Sequence, residues 1–172
     1  MKKAATFLVI SLFIFGTAII AQEFTYVGAG KCKMCHKSEK RGKQYILWEQ
    51  SNHSQSFSAL TSDKAAQRAQ EAGVTNPTES PQCLKCHAPL AEKAAELKEE
   101  GVTCEVCHGP GSAYRKLSIM KDKAEAIKNG LKIYDSPEAI KAHCLQCHEN
   151  AHNKPFDFST SWEKIKHPVP EK

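Results

Sequence analysis

Cys-x-x-Cys-His occurs four times in this chain, as CKMCH at 32–36, CLKCH at 83–87, CEVCH at 104–108 and CLQCH at 144–148. The four copies use all eight cysteines, Cys32, Cys35, Cys83, Cys86, Cys104, Cys107, Cys144 and Cys147, so none remains for a structural disulfide. Cysteines three apart on a helical turn face the same side, and the next residue projects just beyond them. Such a turn can hold a flat ligand by its edge. This is the attachment pattern of c-type haem, in which both thiols become thioethers and the adjacent imidazole binds iron. The rival readings of paired C-x-x-C, Cys₄ zinc sites or exchanging dithiols, require no histidine at the next position. The spacing therefore predicts four haem c groups, with His36, His87, His108 and His148 as the proximal iron ligands.

The N-terminus agrees with that chemistry. MKKAATFLVISLFIFGTAIIAQ has two lysines, an apolar run from Ala4 to Ile20 and a small residue, Ala21, before Gln22. It reads as a secretory signal over residues 1–21, leaving a tetrahaem domain at 22–172 in the periplasm. A retained membrane anchor is the weaker alternative, since the run is short for about 30 Å of hydrocarbon. Without Lys2 and Lys3 the formal charge falls from +5 to +3. Four haems, each with two propionates, add about −4 when ferric and −8 when ferrous. The holoprotein is thus near neutral or acidic, and the basic sequence gives no support for nucleic-acid binding. Its lysines read as a solvated surface that neutralises propionates or orients a redox partner.

Between the motifs the chain is poor in large aliphatic residues. Helix-like stretches fill the intervals: GKQYILWEQSNHSQSFSAL, SDKAAQRAQEAG, LAEKAAELKEEG, YRKLSIMKDKAEAIKNG and SPEAIKAHCLQCHE. Gly73, Gly101 and Gly130 stand at helix-stop positions, and Ser136 with Pro137 forms a helix start. No alternating run long enough for a strand is present. The expected fold is a small, mainly α, single domain with little or no β-sheet, its core built around covalently bound haems.

Each haem iron has a second axial position to fill. Four histidines lie outside the motifs: His53, His143, His152 and His167. His53, on an expected helix after Trp48, and His167, before Pro168 at the end of an expected last helix, are candidate distal ligands. His143 immediately precedes Cys144; it is placed for a neighbouring haem or for a helix cap. His152 lies in the polar loop CHENAHNKPFDF, which favours a solvent-exposed role. Met120 is read as packing rather than ligating, and Met34 is too close to its own motif to serve that iron's far face.

The segments YVGAGKCKMCH, YILWEQSNHSQSFSAL, PQCLKCHA, GVTCEVCHGPGS and FDFSTSWEKIKHP resemble the tetrahaem cytochrome c-554 family across nearly the whole mature chain. The resemblance implies a helical periplasmic electron carrier with haems packed in pairs, and distal ligation by the histidines at positions 53 and 167. Family members continue C-H-G-P-G-S-x-H, with that histidine serving another haem, the first in the cluster; here the position is Tyr114. The best-known member also leaves its second haem without a sixth protein ligand, so this chain is expected to carry one or two open irons unless His143 or His152 compensates. Tyr114 itself has three readings: a phenolate ligand, a hydrogen-bond donor to a propionate or iron-bound molecule, or a ring packed on a haem.

Electron transfer between periplasmic or membrane-bound redox proteins is the function these features favour. Four haems in so short a chain leave little peptide for a substrate pocket. The alternatives are reduction of nitric oxide, nitrite or hydroxylamine at an open haem, and a subunit of a polymeric cytochrome filament. Oligomers are compatible with all three.

Overall fold

The computed structural model describes residues 23–169, so the leader and its cleavage site after Ala21 lie outside the described residues. Those residues form short helices and turns with no strand, as expected for a mainly α domain. The α-helices are α1 (Ala29–His36), α2 (Gln44–Glu49), α3 (Asp63–Glu71), α4 (Pro81–His87), α5 (Cys104–His108), α6 (Leu117–Met120), α7 (Lys123–Lys128), α8 (Pro137–His148) and α9 (Phe158–Ile165). Single 3₁₀ turns cover Glu39–Arg41, Ser58–Thr61, Ala95–Glu100 and Ala151–Asn153. Within residues 23–169 no helix is long and apolar enough to cross a membrane.

Local chemistry sets the helix starts. Ser62, Asp122, Ser136 and Asp157 each accept a hydrogen bond from the backbone three residues on, opening α3, α7, α8 and α9. Pro137 stands at the first turn of α8. The four motifs share one placement: His36, His87, His108 and His148 are the last helical residues of α1, α4, α5 and α8. Each C-x-x-C turn thus delivers its histidine where the chain is free to turn away.

Three expected helices are broken. The stretch through Trp48 stops at Glu49, and His53 sits in the turns that follow. Residues 90–101 form turns and the 3₁₀ segment Ala95–Glu100, while 114–130 divides into α6 and α7. These segments have helix-forming composition, but short helices are marginal without an apolar face to bury. His167 lies two residues beyond α9, after extended Lys166.

Apolar packing is thin. The buried apolar residues are Ala29, Leu60, Ala69, Ala88, Leu90, Ala94, Tyr114 and Ala126, most of them alanines, and the largest fully buried side chains are Glu105 and Thr103. Alanine burial removes little surface from water, so this core cannot offset the chain entropy of a domain this size. Another apolar body must complete it.

Two carboxylates fix the N-terminal segment. Glu105, between the cysteines of the third motif, accepts from the backbone N–H groups of Val27 at 2.9 Å, Gly28 at 2.7 Å and Gly111 at 2.6 Å. Glu100 accepts from Ala29 N–H at 2.8 Å and from the Thr103 hydroxyl at 2.9 Å. The start of α1, and with it the first motif, is thereby held against α5.

Candidate haem sites

The motifs lie in two pairs. Cys32 neighbours Cys104 and Cys86 neighbours Cys147, so the first motif meets the third and the second meets the fourth. Cys147 also approaches the Lys85 carbonyl at 3.8 Å. The neighbouring Cys32 thiol and burial push Cys104 up, while the same contact lowers Cys32. Burial pushes Cys107 up to about 11, and burial with the Cys86 contact pushes Cys147 up to about 12. Across residues 23–169, no three His, Cys, Asp or Glu side chains converge as a metal-ion cage, so the zinc reading finds no donor set.

The histidines form a regular arrangement. His87 faces His152 with ring centroids 6.0 Å apart, His108 faces His167 at 5.8 Å, and His148 faces His53 at 6.1 Å, with interplanar angles of 62°, 40° and 46°. Each pair joins one motif histidine to one non-motif histidine. Two metal–imidazole bonds of about 2.0–2.1 Å plus half a ring on each side give a centroid separation of roughly 6.3 Å. The three pairs match this to within half an ångström. A stacked pair looks different: Phe156 lies on His148 at 4.7 Å and 15°.

The imidazoles are prepared as neutral donors. Burial, then the facing His167, lowers His108 to about 4; burial also lowers His53, His148, His152 and His167. His87 Nδ1 lies 2.7 Å from the Ser56 carbonyl, so donation there leaves Nε2 free. His36 Nδ1 meets Gln44 Oε1 at 3.3 Å. His167 Nδ1 is buried without a hydrogen-bond partner, as expected of a side chain that belongs beside a metal. The donor set therefore fits bis-imidazole iron at three motifs.

The remaining candidates are placed otherwise. His143 lies against the Tyr134 ring, with centroids 5.1 Å apart, and its ring faces no motif histidine. Its position in α8, directly before Cys144, turns it toward Tyr134, whose hydroxyl donates to the Cys107 carbonyl at 3.1 Å. Met34 is 84% exposed. Tyr114 is buried and its hydroxyl donates to the Gly109 carbonyl at 3.0 Å; burial, then the nearby Cys32, raises its pKa and keeps it a neutral phenol. His152 is exposed, in line with its polar loop, yet its ring is aimed at His87. The loop reaches this geometry through left-handed backbone at Asn150, His152 and Asn153. Such strain in non-glycine residues is concentrated at functional positions. Glu105 and Glu100 were not legible as structural residues, because side chains between or before motif cysteines carry no spacing signal.

Residues 31–109 match the family model for cytochrome c554 and c-prime. The chain is also 24% identical to cytochrome c-554 of Nitrosomonas europaea, across 80% of this chain and 63% of the relative, less than two thirds of its length. Both likenesses are to the cytochrome c-554 family. The cytochrome c family implies covalently bound haem c with iron, a group that the four motifs and the facing imidazoles fit. No solved structure matches this chain.

Proposed function

We propose that this protein is a periplasmic electron carrier of the cytochrome c-554 kind with four haem c groups, one at each C-x-x-C-H. The observation that carries the proposal is the set of three facing histidine pairs at 5.8–6.1 Å. Haem c supplies a one-electron iron couple. The protein's part is to fix its position and environment. Cys32 with Cys35, Cys83 with Cys86, Cys104 with Cys107, and Cys144 with Cys147 hold the four edges. His36, His87, His108 and His148 bind iron from the motif side. His152, His167 and His53, facing those of the second, third and fourth motifs, would supply the second imidazole at each. Two strong axial imidazoles on an iron leave no coordination site for substrate, which suits electron transfer.

The nearness of Cys32 to Cys104, and of Cys86 to Cys147, supports close pairing of the first position with the third and the second with the fourth. Donor and acceptor are redox proteins met at the surface after export by the 1–21 leader; no nucleic acid is involved. A spectroelectrochemical titration tests this function. The expected result is reversible uptake of four electrons per chain with no substrate present; fewer than four, or irreversible uptake, contradicts it.

A further inference from the structure

Ser56 lies in the turns after α2, three residues beyond His53, and touches two of the facing histidines. Its half-buried hydroxyl lies 2.7 Å from the His53 carbonyl and 2.8 Å from the His87 carbonyl, and accepts from the Val102 N–H at 3.0 Å. A serine hydroxyl has a single proton. With the Val102 N–H directed at its oxygen, that proton lies between the two histidine carbonyls. The Ser56 carbonyl adds a further contact, accepting from His87 Nδ1 at 2.7 Å. Gly101 keeps the space beside the hydroxyl, because a Cβ there would collide with Ser56 Oγ.

His87 belongs to the second motif, and His53 faces His148 of the fourth. Ser56 thus acts on one imidazole at each of two positions. A hydrogen bond from the outer ring nitrogen raises the basicity of the ligating nitrogen, which favours ferric iron. The acceptor for His87 is a backbone carbonyl held in place, whereas His36 meets the Gln44 side chain at 3.3 Å. We propose that Ser56 is a positioning residue shared by the second and fourth haem positions: its carbonyl orients His87 and its hydroxyl holds the His53 turn, so that one residue tunes two of the four reduction potentials together. The proposal rests on the four-haem reading above. Removing the hydroxyl frees both histidine carbonyls and loosens both imidazoles. Weaker donation from either one disfavours ferric iron, so both potentials rise.

The test uses the full holoprotein, with pyridine haemochrome analysis first fixing the haem count. A redox titration followed by electron paramagnetic resonance gives the potential of each component. The low-spin components lost in His152→Ala, His167→Ala and His53→Ala identify the second, third and fourth positions. In Ser56→Ala the second and fourth components should shift to higher potential while the first and third stay. Ser56→Thr, which keeps the hydroxyl, should restore both. Ser58→Ala, whose hydroxyl reaches the Gln55 carbonyl at 2.9 Å and neither histidine, should move none. The unaltered, reduced protein supplies a check that needs no variant: by nuclear magnetic resonance, the His87 Nδ1 proton should exchange with deuterium more slowly than the His36 Nδ1 proton. With four haems present, any of four results overturns the proposal and leaves the four-haem reading standing: an unmoved second or fourth component in Ser56→Ala, a uniform shift of all four, the same shifts in Ser56→Thr or Ser58→Ala, or a His87 proton that exchanges as fast as that of His36. Fewer than four haems refutes that reading and this inference with it.

Discussion

Glu105→Gln isolates the contact that holds the first motif against the third. The carboxylate is 1% exposed and takes hydrogen bonds from three backbone N–H groups, those of Val27, Gly28 and Gly111. An amide keeps the volume but replaces one oxygen with an NH₂ group. Whichever way the amide lies, that NH₂ meets a backbone donor head-on. At about 1.5–3 kcal/mol for a hydrogen bond to a charged group, and about 1–3 kcal/mol for a buried donor left without a partner, the loss is about 3–5 kcal/mol. For a domain of this size each kcal/mol moves Tm by about 2–4 °C, so the melting point should fall by roughly 6 °C or more. Melting followed by circular dichroism in the haem Soret band measures it, since covalent haem stays attached through unfolding. A Tm within 2 °C of the parent's, on the same scale of about 2–4 °C per kcal/mol, would refute the structural role assigned to Glu105.

Other substitutions give separate checks. Gly101 has φ +67°, and a Cβ there would lie 2.7 Å from the His53 carbonyl; Gly101→Ala should cost more than the roughly 1–2 kcal/mol of a left-handed residue and should loosen the His53 turn, which melting and the low-spin signal both register. Ser136→Ala removes the cap to Ala139 N–H at 3.1 Å and should cost about 1 kcal/mol with the haem spectrum unchanged. The hydrogen bond from the Thr160 hydroxyl and backbone lowers the pKa of Asp157, so its stabilisation of α9 is complete above the ordinary carboxylate range and is lost as pH falls through the depressed value. Asp157→Asn, which retains a capping oxygen, should remove that acid dependence in a pH-dependent melt. Export without haem attachment should give a chain with little helix by far-ultraviolet circular dichroism, because the buried apolar set is mostly alanine.

The motif residues were legible because haem attachment fixes residue type at a set spacing, and the helix start at Ser136–Pro137 was legible because capping is local. His53 and His167 were identified as candidates from the chain, although neither sits on the helix expected for it. His143 and His152 were harder. One is a helical neighbour of a motif and the other lies in a polar loop, and what separates them is the left-handed path through Asn150, His152 and Asn153. That path brings His152 to face His87 of α4, a juxtaposition that no periodicity records. Glu105 is hidden for a related reason: its partners are backbone groups 77 and 78 residues earlier in the chain.

The central claim is four haem c groups on one processed chain, and the intact mass of the purified, denatured holoprotein tests it most directly. The predicted value is that of residues 22–172 carrying four haems. A species with fewer haems, or one whose eight thiols remain free to alkylating reagent, would contradict it.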